Sequence, residues 1–180
     1  IWTYYKGVFA GIIIACVIIS IGVQMFQNSQ LKSLLSIAVV DSNYNHDEQV
    51  EALQNDFLAY AGTGDKHEVV DVDTSLLSGD DYNAVVKMTV VMGAGTADMM
   101  FCGEETYKKY KQQEAFLSWK EIRGDDCSKY EEYMTDDGRL DLEKCPNWEK
   151  YNMVYYSPVY AVVMSSSKNL ENCIKFLEMM

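Results

Sequence analysis

A continuous apolar stretch near the start of the chain limits the folds open to this sequence more than any other feature. Val8–Phe26 reads VFAGIIIACVIISIGVQMF, and Gln24 is the only strongly polar side chain among these 19 residues. About 20 apolar residues in a helix cross the roughly 30 Å hydrocarbon core of a bilayer. Trp2, Tyr4 and Tyr5 precede the stretch, as is typical of an interfacial aromatic belt. The pattern predicts a transmembrane helix over residues 8–26, with the lipid bilayer as its partner.

Three other interpretations of this stretch fit its residues less well. A buried core helix is disfavoured because a helix that is apolar on every face suits lipid better than the edge of a small domain. A cleaved signal peptide lacks a small-residue cleavage site close after the stretch. Ile13–Cys16 loosely resembles a lipobox that would lipidate Cys16, but mostly apolar residues follow it. With Lys6 on the inner side, the prediction is a single-pass protein of a bacterial-type cell membrane whose C-terminal domain is extracytoplasmic.

The charge of the chain restricts its partners. The formal net charge is −12 at pH 7, and the acidic residues begin only at Asp41. A domain this acidic repels phosphate backbones, so nucleic acid is excluded as a partner, and it also repels an anionic lipid surface. Cations, basic proteins and neutral solutes remain as candidates.

The remainder of the chain alternates between two kinds of pattern. Residues 1–7 form an N-terminal flank, a polar connector covers 27–33, and a single domain covers 34–180. Apolar runs predict strands, and apolar residues at helical spacing predict helices, in the order Leu34–Val40, His46–Ala61, Glu68–Val72, Tyr82–Met92, Asp98–Cys102 and Glu104–Gln113. The last of these helices should be largely solvated. This β-α-β-α-β-α order predicts a three-layer α/β lobe with a mostly parallel sheet.

Three stretches resemble the first lobe of extracellular solute-binding proteins of the type-two periplasmic-binding fold. Ala84–Phe101 is similar to the step in which a helix ends on glycine and a strand opens on aspartate. Phe116-Leu117 follows the next helix, and Tyr156–Leu177 resembles the return strand, the Ser-Lys-Asn corner and the closing helix. Lys120–Met153 is too short for the second lobe of a full member. The resemblance therefore implies a single-lobe relative.

The ends of the predicted strands give the candidate ligand site. Open α/β sheets bind ligands at the carboxyl ends of their strands. The side chains expected there are Asp41, Ser42, Asn43, Asp73, Thr74, Gly103 and Glu104. On a strand, Tyr156 and Tyr160 share a face with Pro158, and Tyr155 takes the other face. Such an aromatic face would either stack on a sugar or meet a protein partner, or the rings would cover a small core while their hydroxyls stay in water. The second interpretation is favoured.

The cysteines and the acidic residues could form disulfides or metal sites. Cys127 and Cys145 bracket a polar, hairpin-like excursion, which predicts a disulfide between them. Cys102 and Cys173 either pair or stay as buried free thiols. The sequence has no C-x-x-C motif, and Asp71-x-Asp73 begins like a calcium loop without the required glycine and glutamate. No metal site and no cofactor are predicted.

No motif indicates catalysis. Ser165–Lys168 matches S-x-x-K, but the companion motifs of penicillin-binding enzymes are missing. Two functions remain. The first is a membrane-tethered, extracytoplasmic, non-catalytic module that binds a small solute and is accessory to transport. The alternative is an interaction scaffold that docks on another membrane protein complex and binds no small molecule.

Overall fold

The protein is described here from a computed structural model, which covers residues 12–23 and 31–180, without the side chains of residues 125 and 126. The chain divides into two units, Ile1–Lys32 and Ser33–Met180.

The first unit corrects the membrane prediction. Residues 12–23 form helix α1, whose side chains are exposed. Across residues 12–23 and 31–180, no helix combines the length and the apolar character needed to cross a membrane. The predicted transmembrane helix over 8–26 is therefore wrong, and so is the single-pass cell-membrane placement derived from it. Residues 1–11 and 24–30, which include the flank and most of the connector, lie outside the described residues.

The second unit is an α/β domain. Its strands are β1 (Lys32–Val40), β2 (Glu68–Leu76), β3 (Met99–Cys102), β4 (Phe116–Leu117), β5 (Leu140–Asp141) and β6 (Tyr160–Met164). Its helices are α2 (Asp47–Ala61), α3 (Tyr82–Ala94), α4 (Glu104–Lys111), α5 (Trp119–Arg123), α6 (Trp148–Tyr151) and α7 (Leu170–Met179). Two 3-10 helices cover Gly124–Tyr133 and Leu142–Lys144. The strand order is β2-β1-β3-β6-β4, and β5 also pairs with β6.

The sheet is mixed, so the prediction of a mostly parallel sheet is wrong. β1 and β3 are parallel, whereas β6 runs antiparallel to β3, β4 and β5. The reason lies in the connection before β6. Asp141, the last residue of β5, pairs with Tyr160, the first residue of β6, so the chain enters β6 at the edge where β5 ends. A buried apolar run has the same composition in either direction, and the sequence pattern therefore does not reveal which way β6 runs.

Side chains of the strands alternate between two apolar layers. In β1, Leu35, Ile37 and Val39 pack in the cluster that contains Phe57 of α2 and Phe176 of α7. Ala38 and Val40 pack in the other cluster, with residues of α3 and α4. Helices therefore cover both faces of the sheet. Six of the ten residues 104–113 are exposed, as expected, and the buried residues of α4 are Thr106, Tyr107 and Tyr110.

A buried carboxylate connects three strands at the amino end of β3. Asp98 is only 5% exposed. Its Oδ2 accepts hydrogen bonds from Ser36 N (2.9 Å) and Asn169 Nδ2 (3.0 Å), and its Oδ1 accepts one from Ser167 Oγ (2.8 Å). The backbone of Asp98 also accepts from Met164 N and donates to the carbonyl of Ser36. One residue thus joins β1, β3, the end of β6 and the corner before α7.

The cysteines form no disulfide in the described part of the chain, so the predicted Cys127–Cys145 bridge is wrong. The Cys127 thiol lies 3.3 Å from Met134 Sδ, and the Cys145 thiol donates to the carbonyl of Asp141. Cys102 and Cys173 belong to different apolar clusters, on opposite faces of the sheet, and therefore remain separate thiols. Burial raises the pKa of Cys102, Cys145 and Cys173 to about 12.

Replacing Asp98 with alanine should lower the free energy of unfolding by about 3–5 kcal/mol, because three donors would lose a charged acceptor inside the domain. Urea unfolding followed by circular dichroism measures the change. Glu51→Ala is the control, since Glu51 is exposed on α2 and should change stability by less than about 0.5 kcal/mol. An Asp98→Ala protein as stable as this control would contradict the structural role of the carboxylate.

The four cysteines of the domain should react with a thiol reagent at least about 100-fold more slowly than the exposed Cys16, because burial and a raised pKa suppress the thiolate. The measurement is colorimetric thiol titration of the unreduced protein at pH 8, with and without urea. In urea all five thiols should titrate. Fewer than five in the unreduced, denatured protein would show a disulfide.

Candidate functional site

A cleft of about 310 Å³ lies at the edge of the sheet where β1 and β3 end. These parallel neighbours pair Val39 with Phe101 and so finish at the same edge. β6 begins there, with Tyr160 beside Cys102. We call this the strand-edge cleft. It is lined by Asp41 after β1, Ser78 after β2, Gly103–Thr106 at the start of α4, and Tyr155–Pro158 before β6.

Asp41 is held at the cleft by the end of β2. Its backbone N donates to the carbonyl of Leu76 (2.9 Å), and its Oδ1 accepts from Ser78 N (3.0 Å). The residue adopts a left-handed conformation with φ 51°, which aspartate tolerates better than most residues. Its Oδ2 makes no hydrogen bond and no ion pair with any described residue. One carboxylate oxygen of Asp41 is therefore fixed by the fold, and the other has no protein partner among the described residues.

Tyr156 forms the inner wall of the cleft. Its hydroxyl donates to the carbonyl of Val40 at 2.9 Å, and the carbonyl of Phe101 lies 3.4 Å away, so the phenol spans the ends of β1 and β3. Burial raises its pKa well above the usual range, which keeps the phenol a neutral donor. The ring lies against Gly103, where a Cβ would come within 3.3 Å of Tyr156 Cδ2. Glycine at 103 therefore allows the ring to close on the start of α4.

Tyr155 forms the outer wall. Its side chain is 74% exposed, and its ring meets that of Tyr156 edge-on, with centroids 6.2 Å apart. No lysine, arginine or histidine is among the residues that line the cleft in the described part of the chain. The accessible surface therefore combines carboxylates with an aromatic face.

Thr106 is the buried polar residue of the cleft. It is only 6% exposed, yet its hydroxyl has no hydrogen-bond partner among the described residues. The Thr106 oxygen is not among the fully buried side-chain atoms that lack a partner, so it keeps some accessible surface at the cleft. Water or a ligand in the cleft can therefore form a hydrogen bond with it.

Glu104 connects the cleft to a second charged group. Its carboxylate accepts from Arg139 Nη1 and pairs with Lys108 Nζ at 3.0 Å. These hydrogen bonds, with that from Arg139 as the larger contribution, lower the pKa of Glu104. Glu104 thus lines the cleft as a neutralised carboxylate.

Arg139 is shared between two carboxylates and two aromatic rings. Besides Glu104, its guanidinium donates through Nε to Asp137 Oδ1 at 2.8 Å. The rings of Tyr107 and Tyr160 lie 4.3 and 4.1 Å from its central carbon. Partial burial opposes the charge of Asp137, but hydrogen bonds from Thr135, Lys111 and Arg139 outweigh it and lower the pKa of this carboxyl. We call Arg139 with Glu104, Asp137, Tyr107 and Tyr160 the Arg139 cluster.

The structure separates the residues predicted for the site. Asp41, Gly103 and Glu104 line the cleft. Ser42 and Asn43 lie beside it and hold the segment before Tyr155: Ser42 bridges to Val154, and Asn43 N donates to the carbonyl of Met153. Thr74 contributes its carbonyl to the Ser42 hydroxyl and its Oγ1 to His46 Nε2. Asp73 does not line the cleft. Its carboxylate accepts a hydrogen bond from Ser75 N and forms an ion pair with Lys87 at 3.6 Å.

Sequence reasoning did not identify Thr106 or Arg139. Thr106 had no signal beyond a polar side chain on the face that carries the buried Tyr107 and Tyr110. Arg139 follows the Asp137-Gly138 turn, which predicts a hairpin but no long-range ion pair. In the described residues no group of three or more histidine, cysteine, aspartate or glutamate side chains is placed to hold a metal ion.

No protein-family model matches the sequence, and no curated protein matches it. The geometry of the cleft therefore carries the functional argument.

Replacing Arg139 with methionine should lower the free energy of unfolding by about 2 kcal/mol at pH 7, because Glu104 and Asp137 would keep their charges without the shared partner. Chemical denaturation measures the change. Lys108→Met is the control: Lys108 pairs with the same Glu104 but is 70% exposed, so its loss should cost at most about 0.5 kcal/mol.

The pH dependence of this loss has a defined sign. Both carboxyl pKa values are lowered in the folded protein, so the stabilisation is present above their ordinary values of 4.5 for Glu104 and 3.8 for Asp137. It is lost as the pH falls through the lowered values, when the carboxyls take up protons. The difference between wild type and Arg139→Met should therefore shrink below about pH 4. A difference that stays constant down to pH 3 would show that packing, not charge, accounts for it.

Proposed function

We propose that this α/β domain is a non-catalytic module that binds one small polar solute in the strand-edge cleft. The observation that carries the proposal is the presence, in one concavity, of polar groups that have no protein partner among the described residues. Asp41 Oδ2 and the Thr106 hydroxyl lack partners among the described residues, and the exposed ring of Tyr155 stands beside them. A few convergent polar groups with an aromatic wall are typical of small-molecule sites.

Size and position support the proposal. A volume of about 310 Å³ is near the lower end of the roughly 300–1,000 Å³ range of ligand pockets, which suits a metabolite-sized solute. The cleft lies outside the carboxyl ends of parallel strands, where open α/β sheets bind ligands. The return strand β6, the Ser165–Asn169 corner and the closing helix α7 also follow the order expected for one lobe of a solute-binding protein.

The polar groups of the cleft are arranged for binding. The Ser157 hydroxyl donates to Glu143 Oε2 at 2.9 Å, and the Tyr156 hydroxyl donates to a strand carbonyl. Nucleophilic catalysis needs a base that removes a proton from the nucleophile and a third group that orients the base. Neither hydroxyl has a histidine next to it within the described part of the cleft. These contacts therefore support a role in which the hydroxyls shape the walls.

A thermal-shift screen of the full chain against sugars, amino acids, amines, oligopeptides and divalent metals tests the proposal. A solute present at about 100 times its dissociation constant should add about 2.7 kcal/mol of stability, a shift of several degrees in a domain of this size. For the solute found, Tyr155→Ala should weaken binding at least about 10-fold by isothermal titration calorimetry, because the outer wall is lost. Tyr82→Ala is the matched control: Tyr82 is 81% exposed and lies outside the cleft.

The outcomes separate solute binding from a second candidate function. Equal affinity of the Tyr155→Ala and Tyr82→Ala proteins would place the solute elsewhere. No shift with any class, in a protein that melts cooperatively, would favour an interaction scaffold. The observation behind this second candidate is the exposure of Tyr44, Leu77, Tyr82 and Tyr155, which follow β1 and β2 or precede β6. Exposed aromatic residues of this kind are enriched in protein interfaces.

A further inference from the structure

We infer that the solute of the strand-edge cleft is a small organic cation that carries an ammonium group. The inference rests on the proposed function and names the chemical class of its ligand. Three features of the cleft lead to it: the sign of its accessible charge, the hydrogen-bonding group at its buried end, and the aromatic ring at its mouth.

The accessible charge of the cleft is negative. Glu104 is neutralised by Arg139 and Lys108, but Asp41 keeps one carboxylate oxygen without a partner among the described residues. Glu105 is exposed beside it and also makes no ion pair with any described residue. With no basic side chain among the described lining residues, a bound anion would meet uncompensated like charge. A neutral solute would leave the Asp41 charge partly desolvated and unpaired.

The start of α4 faces the same cleft and gives the strongest counter-argument. Helix N-termini carry partial positive charge and often bind anions. Here the first turn of α4 already holds two carboxylates, Glu104 and Glu105. These charges offset the positive end of the helix within the protein itself, so the cleft retains its preference for a cation.

Thr106 is the independent observation that points to a ligand. Its side chain is buried, lines the cleft and has no hydrogen-bond partner among the described residues. A threonine hydroxyl accepts as well as donates, so an N–H group of an ammonium satisfies it. A second N–H of the same group is free for Asp41 Oδ2. An ammonium has three donors and therefore meets both acceptors, which a metal ion without three protein ligands does less well.

The exposed ring of Tyr155 adds the third contact. A cation over the face of a tyrosine ring is attracted by the negative π-surface. Tyr155 is also mostly solvent-exposed and touches Tyr156 edge-on, so its outer ring face is available. The site therefore offers a carboxylate, a hydroxyl and a ring face to one organic cation.

Isothermal titration calorimetry of the full chain with three four-carbon probes tests the inference: butane-1,4-diamine, butane-1,4-diol and succinate. The diamine should bind at least about 10-fold more tightly than the diol, and succinate should show no binding. Diamine affinity should also fall as salt is raised, because the attraction is partly between charges. Spermidine and tetramethylammonium extend the panel to a longer amine and to a cation without N–H donors.

Two nearly isosteric variants locate the interaction. Asp41→Asn keeps the left-handed conformation and the acceptor for Ser78 N but removes the charge, and should weaken diamine binding at least about 10-fold. Thr106→Val removes a hydroxyl that has no partner in the described protein, so it should leave the melting temperature unchanged or higher while weakening diamine binding about 3- to 10-fold. Glu51→Gln changes the net charge by the same amount as Asp41→Asn and should leave the affinity within about 2-fold.

Each outcome has a definite meaning. Tighter binding of the diol or of succinate would overturn the inference and leave the proposed function standing. Diamine binding that is equal in the Asp41→Asn, Thr106→Val and Glu51→Gln proteins would also overturn it, because the amine would then bind elsewhere on an acidic surface. If no amine of the panel binds, the inference fails. The solute screen then decides separately whether another chemical class occupies the cleft.

Discussion

The buried carboxylate of Asp98 sets the register on which the domain depends. It receives hydrogen bonds from a strand amide of β1 and from two side chains of the corner before α7, while its own backbone pairs with β1 and β6. A carboxylate buried in an apolar interior is unfavourable unless donors surround it, so any other alignment of these strands would leave a charge without partners. Gly95 adds to this end of the sheet: with φ 61°, it packs where a Cβ would meet Ser166 at 3.3 Å.

The strand register that Asp98 fixes at the amino end of β3 also determines which residues are neighbours at the opposite edge of the sheet. Because Ile37 pairs with Met99 and Met99 with Val163, β1, β3 and β6 reach the opposite edge in step. Asp41, Gly103 and the segment before β6 are then neighbours. A slip of one residue would turn every side chain of a strand to the other face and would move Asp41 away from the cleft. The polar groups of the cleft are therefore positioned by a polar contact at the far edge of the same sheet.

Local patterns in the sequence predict most of the elements, but not how they are arranged. The apolar run Leu34–Val40 lies inside β1, and Gly95 ends α3. The direction of β6 and the partners of the cysteines depend on contacts between distant residues, which composition does not encode. The apolar stretch over residues 8–26 predicts a membrane span from hydropathy alone, whereas no helix among the described residues is long and apolar enough to form one. The rule on strand ends selects Asp41, Gly103 and Glu104, and all three line the cleft. The rule gives no indication of Thr106, which lies on the buried face of α4.

The stacking of Arg139 between Tyr107 and Tyr160 limits which cation this position accepts. The guanidinium is planar, so it presents a ring-like face to each tyrosine while its edge donates to Glu104 and Asp137. A lysine carries the same charge, but its ammonium is compact, strongly hydrated and without a flat surface. It would reach one carboxylate, leave the other unneutralised and open a gap between the rings. We therefore expect an arginine-to-lysine exchange at position 139 to be destabilising because of the shape of the side chain, although the same exchange is harmless on most protein surfaces.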